Sequence, residues 1–149
     1  MVENTSTTLL SPDQYRRYCV PYLKTYADIF RNAGRPLILH MCGHLKDLLP
    51  DLARIPAVGF EAFTTPPVGN TTLAEGRAEC PAHALIGGTN AVLWTRPVEE
   101  IEAALRRDLD ALPHHRGLVI TSAGVMPPLC RPETIRCIAQ WIYRYPARF

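Results

Sequence analysis

Two metal donors stand two positions apart at the end of an apolar run: Pro36-Leu37-Ile38-Leu39-His40-Met41-Cys42-Gly43-His44. Imidazole and thiolate are the ligands that a borderline-soft ion such as zinc prefers. Leu37, Ile38 and Leu39 read as a short strand buried on both faces, of the kind a parallel sheet uses. Alternation along a strand sends His40 and Cys42 to one side of its C-terminal end. In α/β folds that end gathers the ligand-binding loops. The same pair also fits a plainer reading, a strand-end His bonded to backbone and a buried Cys packing as a small hydrophobe.

The elements that must position these residues are marked along the chain. Ser11-Pro12-Asp13-Gln14 predicts a helix start, with Ser as N-cap, Pro at the first helical position and Gln reaching back. Tyr15, Tyr18, Cys19, Tyr22, Tyr26, Ile29 and Phe30 follow at helical spacing as far as Asn32-Ala33-Gly34, an aromatic face read as core or interface packing. Pro21 lies inside that pattern and predicts a kink. Lys46 to Ile55 reads as a short helix that tolerates Pro50 only in its first turn. Val58 to Phe63 reads as a second strand, and Thr64 to Asn70 as a stiff loop around Pro66-Pro67. Thr72-Leu73-Ala74-Glu75 is a capping box. His83 to Gly88 reads as a third strand, Pro97 to Leu112 as an amphipathic helix, Leu118 to Ser122 as a fourth strand and Pro132 to Tyr145 as a last helix. One helix followed by four strand–helix units implies a parallel sheet with right-handed crossovers.

Composition narrows the function classes. A chain of 149 residues is one domain by size, here a loose arm over 1–10 and a folded domain over 11–149. The net charge of +2 and the absence of a basic cluster argue against a nucleic-acid surface. No apolar run approaches the roughly 20 residues of a membrane helix. Five irregularly spaced cysteines suit reduced thiols in a cytoplasm better than a disulfide framework.

Four segments together resemble one family. Ser11-Pro12-Asp13-Gln14-Tyr15 with Pro21-Tyr22, Leu39-His40-Met41-Cys42-Gly43, Ala84-Leu85-Ile86-Gly87-Gly88 and Pro97-Val98-Glu99-Glu100-Ile101 are similar, in order and spacing, to the uroporphyrinogen decarboxylase superfamily. The resemblance runs from about Leu10 to Tyr145. It implies the C-terminal half of a (β/α)8 TIM barrel, namely one leading helix plus four β/α units. The superfamily includes the decarboxylase of haem biosynthesis and zinc-dependent methyltransferases that move methyl groups between a corrinoid and a thiol. His40 and Cys42 match the His-x-Cys of the methyltransferase branch. After the last strand that branch has a further Cys, and the decarboxylases a His; this chain has Ser122-Ala123-Gly124. Glu61-Ala62-Phe63-Thr64 and Pro66-Pro67 resemble a segment shared with other relatives.

The resemblance implies zinc on His40 and Cys42, with Cys130 as a thiolate that folds back to replace the missing one; its alternative is a loop cysteine at a helix start. Glu61, on the same rim, reads as a ligand or substrate contact, or as a carboxylate bonded to loop amides. His44 reads as a proton donor or supporting group, or as a solvated cap. Gly87, Gly88 and Gly124 would admit a large flat cofactor such as a corrinoid, although glycines there are also ordinary turn residues. Three functional expectations follow. One is a methyltransferase-like site completed by a second chain, with a corrinoid protein as a further partner. The others are uroporphyrinogen decarboxylation and a non-catalytic half barrel with a residual metal site. An open sheet of four strands also implies closure, by a homodimer or by a chain supplying the N-terminal half, burying more than roughly 2,000 Å².

Overall fold

The computed structural model describes residues 6–149. Ser11 caps the first helix as a capping box predicts: its hydroxyl accepts from the Gln14 amide while the Gln14 side chain accepts from the Ser11 amide. The span expected as one kinked helix is two, α1 (Pro12–Tyr18) and α2 (Val20–Asn32), separated at Cys19. Pro21 lies in the first turn of α2, where a missing amide costs no intrahelical bond.

The chain then runs through β1 (Ile38–His40), a 3₁₀ turn leading into α3 (Leu49–Leu52), β2 (Gly59–Phe63), α4 (Leu73–Glu79), β3 (Ala84–Gly87), α5 (Val98–Asp110), β4 (Leu118–Ile120) and α6 (Pro132–Arg144). Pro50 sits in the first turn of α3, and Thr72 and Glu75 complete the second capping box. The strands form one parallel sheet in the order β1-β2-β3-β4. Each strand is added beside the last. With right-handed crossovers, a sheet growing in one direction keeps its helices on one face, whereas a doubly wound sheet reverses its order. The fold is therefore consistent with part of a (β/α)8 barrel.

The two faces of the sheet differ sharply. Leu39, Phe60 and Leu85 pair in register and are buried in a core shared with Leu48, Leu52, Leu73 and Leu109. Each such side chain contributes roughly 1.5–3 kcal/mol relative to exposure. On the other face Ile38 is 47% exposed and Val119 51%. This corrects the expectation of a strand buried on both faces: the helices cover one face, and nothing among the described residues covers the other. Of the expected aromatic stripe Tyr15 is buried and Cys19 half-buried, while Tyr18, Tyr22, Tyr26, Ile29 and Phe30 are exposed; α2 buries Leu23 and Ala27 instead.

At the N-terminal ends of the strands, the buried Arg77 donates to the carbonyls of Pro81, His83 and Arg116, and His83 stacks on Phe60. Residues 1–5 of the expected arm lie outside the described residues. Ser6 to Leu10 form turns seated on the loop after β1, with Ser6 buried.

Candidate functional site

β1 and β2 are parallel and in register, and their last paired positions are His40 and Glu61. His40 Nδ1 lies 2.5 Å from Glu61 Oε2. A carboxylate in that position accepts from the Nδ1 proton and fixes the ring. A neutral ring so held keeps its lone pair on Nε2, the form in which histidine binds a metal. Both side chains are part exposed. Beyond His40 the chain stays tied to β2, because the Met41 amide donates to the Glu61 carbonyl at 2.7 Å. Half-buried Cys42 follows on the same rim.

A bulge shapes the end of β2. Phe60 pairs with Leu85 but Phe63 pairs with Gly87, so β2 carries one extra residue, and Ala62 takes a left-handed φ of 59°. For a residue with a Cβ this costs roughly 1–2 kcal/mol, and bulges of this kind re-aim neighbouring side chains. Thr64 supports it. Its hydroxyl lies 2.7 Å from the Ala62 carbonyl and 3.2 Å from that of Ala123, itself left-handed at φ 53°. The neighbouring strand ends are joined in the same way. Thr89 Oγ1 donates to the Thr121 carbonyl and accepts from Trp94 Nε1 at 2.9 Å. Asn90 Nδ2 donates to the Pro66 carbonyl at 2.9 Å, at the cis Pro66–Pro67 bond.

His44 is held through its backbone: its amide donates to Ser6 Oγ at 2.9 Å and its carbonyl accepts from the Thr7 amide. Gly43 is left-handed at φ 84°, and a Cβ there would lie 2.8 Å from Ser6 Cβ. Cys130 follows β4, at the opposite edge of the sheet from β1. Three strand spacings of roughly 4.8 Å intervene. Burial raises the pKa of the Cys130 thiol, which disfavours the thiolate. Among the described residues no group of three or more His, Cys, Asp and Glu side chains could hold a metal ion. The structure thus pairs His40 with Glu61, and it gathers neither Cys42 nor Cys130 with them into a group of three donors. The donor types suit zinc; their number falls short of the four a closed site uses.

Over residues 1–145 the chain matches the family model described as uroporphyrinogen decarboxylase. It belongs to the uroporphyrinogen decarboxylase family. It is also 30% identical to the methylcobamide:CoM methyltransferase MtbA of Methanosarcina mazei, over 97% of this chain and 44% of that protein. The chain therefore spans less than half the length of this curated relative. No helix among the described residues is long and apolar enough to cross a membrane.

Within this uroporphyrinogen decarboxylase fold, two of the three glycines expected to face a cofactor have reasons internal to the chain. A Cβ on Gly87 would stand 2.4 Å from the Phe63 carbonyl oxygen, and one on Gly88 2.9 Å from a Leu73 methyl. Gly124 differs, since its Cβ position meets nothing within 4 Å. Ser6 and Thr64 were not legible as site residues. Ser6 belongs to a polar segment that reads as an arm, and the threonine after β2 reads as part of a loop. Their signal lies in partners 38 and 59 residues away.

Proposed function

We propose that this chain supplies one half of a zinc-dependent methyl-transfer site, of the kind that exchanges a methyl group between a corrinoid and a thiol, and that a second polypeptide completes it. The observation that carries this reading is the His40–Glu61 pair, Nδ1 to Oε2 at 2.5 Å, at the C-terminal end of β1 and two residues before Cys42 in the chain. The relative named as a methylcobamide:CoM methyltransferase supports the same direction.

A zinc ion bound here supplies Lewis acidity, which keeps a substrate thiol deprotonated at neutral pH. The roles of the protein groups follow from their chemistry. His40 offers Nε2 and Cys42 its thiolate. Glu61 holds the His40 ring in one orientation and balances positive charge at Nδ1. At the turn after β4, Ala123 has no donor to offer, so the remaining ligands come from outside these residues. The same absence of a His at Ala123 leaves decarboxylation without a group of its own here. Gly124, open on its Cβ side, leaves room for a broad planar cofactor at this rim.

Elemental analysis tests the reading. Protein joined to its completing half and purified without added metal should carry about one zinc per barrel, and the His40→Ala, Cys42→Ala double variant should lose it. Zinc below about a tenth of an equivalent, unchanged in the double variant, sinks the proposal.

A further inference from the structure

A buried charge is costly unless an opposite charge holds it, and Arg77 has none. It is 5% exposed, yet its guanidinium donates only to neutral carbonyls, those of Pro81, His83 and Arg116. Among the described residues it makes no ion pair, and its Nε–H has no hydrogen-bond partner. Nδ1 of His83, a residue 7% exposed, and Nδ1 of His114 are buried and unpartnered as well. Arg77, His83, His114 and Arg116 all line one cavity of about 360 Å³ at the N-terminal ends of β2, β3 and β4. Three of the four buried, unpartnered side-chain atoms among the described residues therefore belong to the lining of a single cavity. No Asp or Glu lines it.

The chemistry of this lining defines a ligand. Nε2 of His83 lies 3.0 Å from the Ile55 carbonyl, and a carbonyl only accepts, so that nitrogen carries the proton. In the neutral ring Nδ1 is then an acceptor. The cavity thus combines a histidine acceptor with cationic donors from Arg77 and Arg116. A ligand that satisfies both presents a hydroxyl and a negative charge on one small group. Hydrogen phosphate does so, free or as a monoester, and charge-assisted bonds to arginine suit it. Sulfate and carboxylates carry no proton at neutral pH. The volume falls within the roughly 300–1,000 Å³ of small-molecule sites, which leaves room for an organic group on the phosphate.

We propose that this cavity binds a phosphate group, free or carried on a small molecule as a monoester, among the Arg77 and Arg116 guanidiniums and the His83 and His114 rings. It lies at the opposite end of the sheet from His40, the last residue of β1, and needs neither zinc nor a second chain. Its ligand supplies the negative charge that Arg77 lacks.

The test is isothermal titration calorimetry on the full chain at fixed ionic strength, with inorganic phosphate, glycerol 3-phosphate and sulfate as probes. At least one of the two phosphates should bind once per chain with a Kd below about 1 mM, and sulfate should bind more weakly. Tighter glycerol 3-phosphate assigns the site to an ester and tighter inorganic phosphate to the free ion; either supports the proposal. Arg77→Lys would disturb the carbonyl bonds that tie the strand starts together, so the more exposed Arg116 and His114 carry the test. Arg116→Gln and His114→Gln should each weaken binding about tenfold and leave the circular dichroism of the folded chain unchanged. No saturable binding below about 1 mM, sulfate bound as tightly as phosphate, or an affinity unchanged in both variants would each overturn the proposal.

Discussion

Thr64 and Ala123 are 59 residues apart, and one hydroxyl joins them: Thr64 Oγ1 lies 3.2 Å from the Ala123 carbonyl and 2.7 Å from that of Ala62. Both alanines hold left-handed backbone, at φ 59° for Ala62 and 53° for Ala123. Such strain persists where the surroundings over-determine it, and the buried Thr64 is that surrounding. Thr64→Val keeps the shape and removes the donor. It should cost about 1–3 kcal/mol and lower the melting temperature by several degrees. An unchanged urea midpoint would show that the bulge holds itself.

Glu61 tests the metal reading from behind the ligand. Glu61→Gln keeps the volume but removes the charge that faces His40 Nδ1. In the completed barrel it should weaken zinc binding by about 10–100-fold, read by competition with a chromophoric chelator. The unfolding midpoint of the metal-depleted protein should stay within the error of the wild type. Equal zinc affinity in the two proteins would make Glu61 a bystander.

Gly87 and Gly124 have φ values of 147° and 136°, both strained for an L side chain, but their surroundings differ. A Cβ at Gly87 would meet Phe63 backbone at 2.4 Å, while one at Gly124 meets open space. Gly87→Ala should therefore destabilise the chain more than Gly124→Ala, which carries only a conformational cost of roughly 1–3 kcal/mol. Denaturant unfolding of both variants would check the order. The reverse order would place the crowding at the wrong residue.

Glu75 sets an acid-side expectation. Hydrogen bonds from Lys46 and the Thr72 amide hold its carboxyl down at about 2, below the ordinary 4.5. A carboxyl depressed by folding stabilises the folded state above its unfolded value and loses that contribution as pH falls through the folded one. Stability should therefore drop between about pH 4.5 and about pH 2, and Glu75→Gln should flatten that slope. Because Glu75 is more than a third exposed, solvent screens the effect and it stays small. Urea midpoints measured across this window would settle it; equal slopes would assign the acid sensitivity elsewhere.

Local signals decided the elements, and they were legible. Both capping boxes, the N-terminal place of Pro50 and the alternation of strands and helices act over three or four residues, within the reach of neighbours in the chain. The kind of sheet followed from them, while the family came from the resemblance of four motifs in order and spacing. Even there, Cys19 and Pro21 divided one expected helix into two, because a proline suits a first turn better than a helix interior. The expectation of strands buried on both faces failed for a different reason. Apolar residues at Ile38 and Val119 record what the sheet must be covered by, and the helices of this chain lie on one side only.

What the sequence by itself determined was which residues can bind, bend or cap. His40 and Cys42 were legible as candidate donors from their types and spacing, whereas β1 ends at His40 and leaves Cys42 beyond the strand, where alternation no longer fixes its side. Only the tertiary structure decided that Glu61, 21 residues on, turns its carboxylate to the His40 ring. It also left Cys130 at the far edge of the sheet, gave Gly87 and Gly88 packing reasons, and made Ser6 part of the loop that carries His44. The His40–Glu61 pair depends on the β1–β2 register, and the crowding at Gly87 on the extra residue in β2. Register is set by the sum of many weak contacts across the sheet, which no single stretch of the chain encodes.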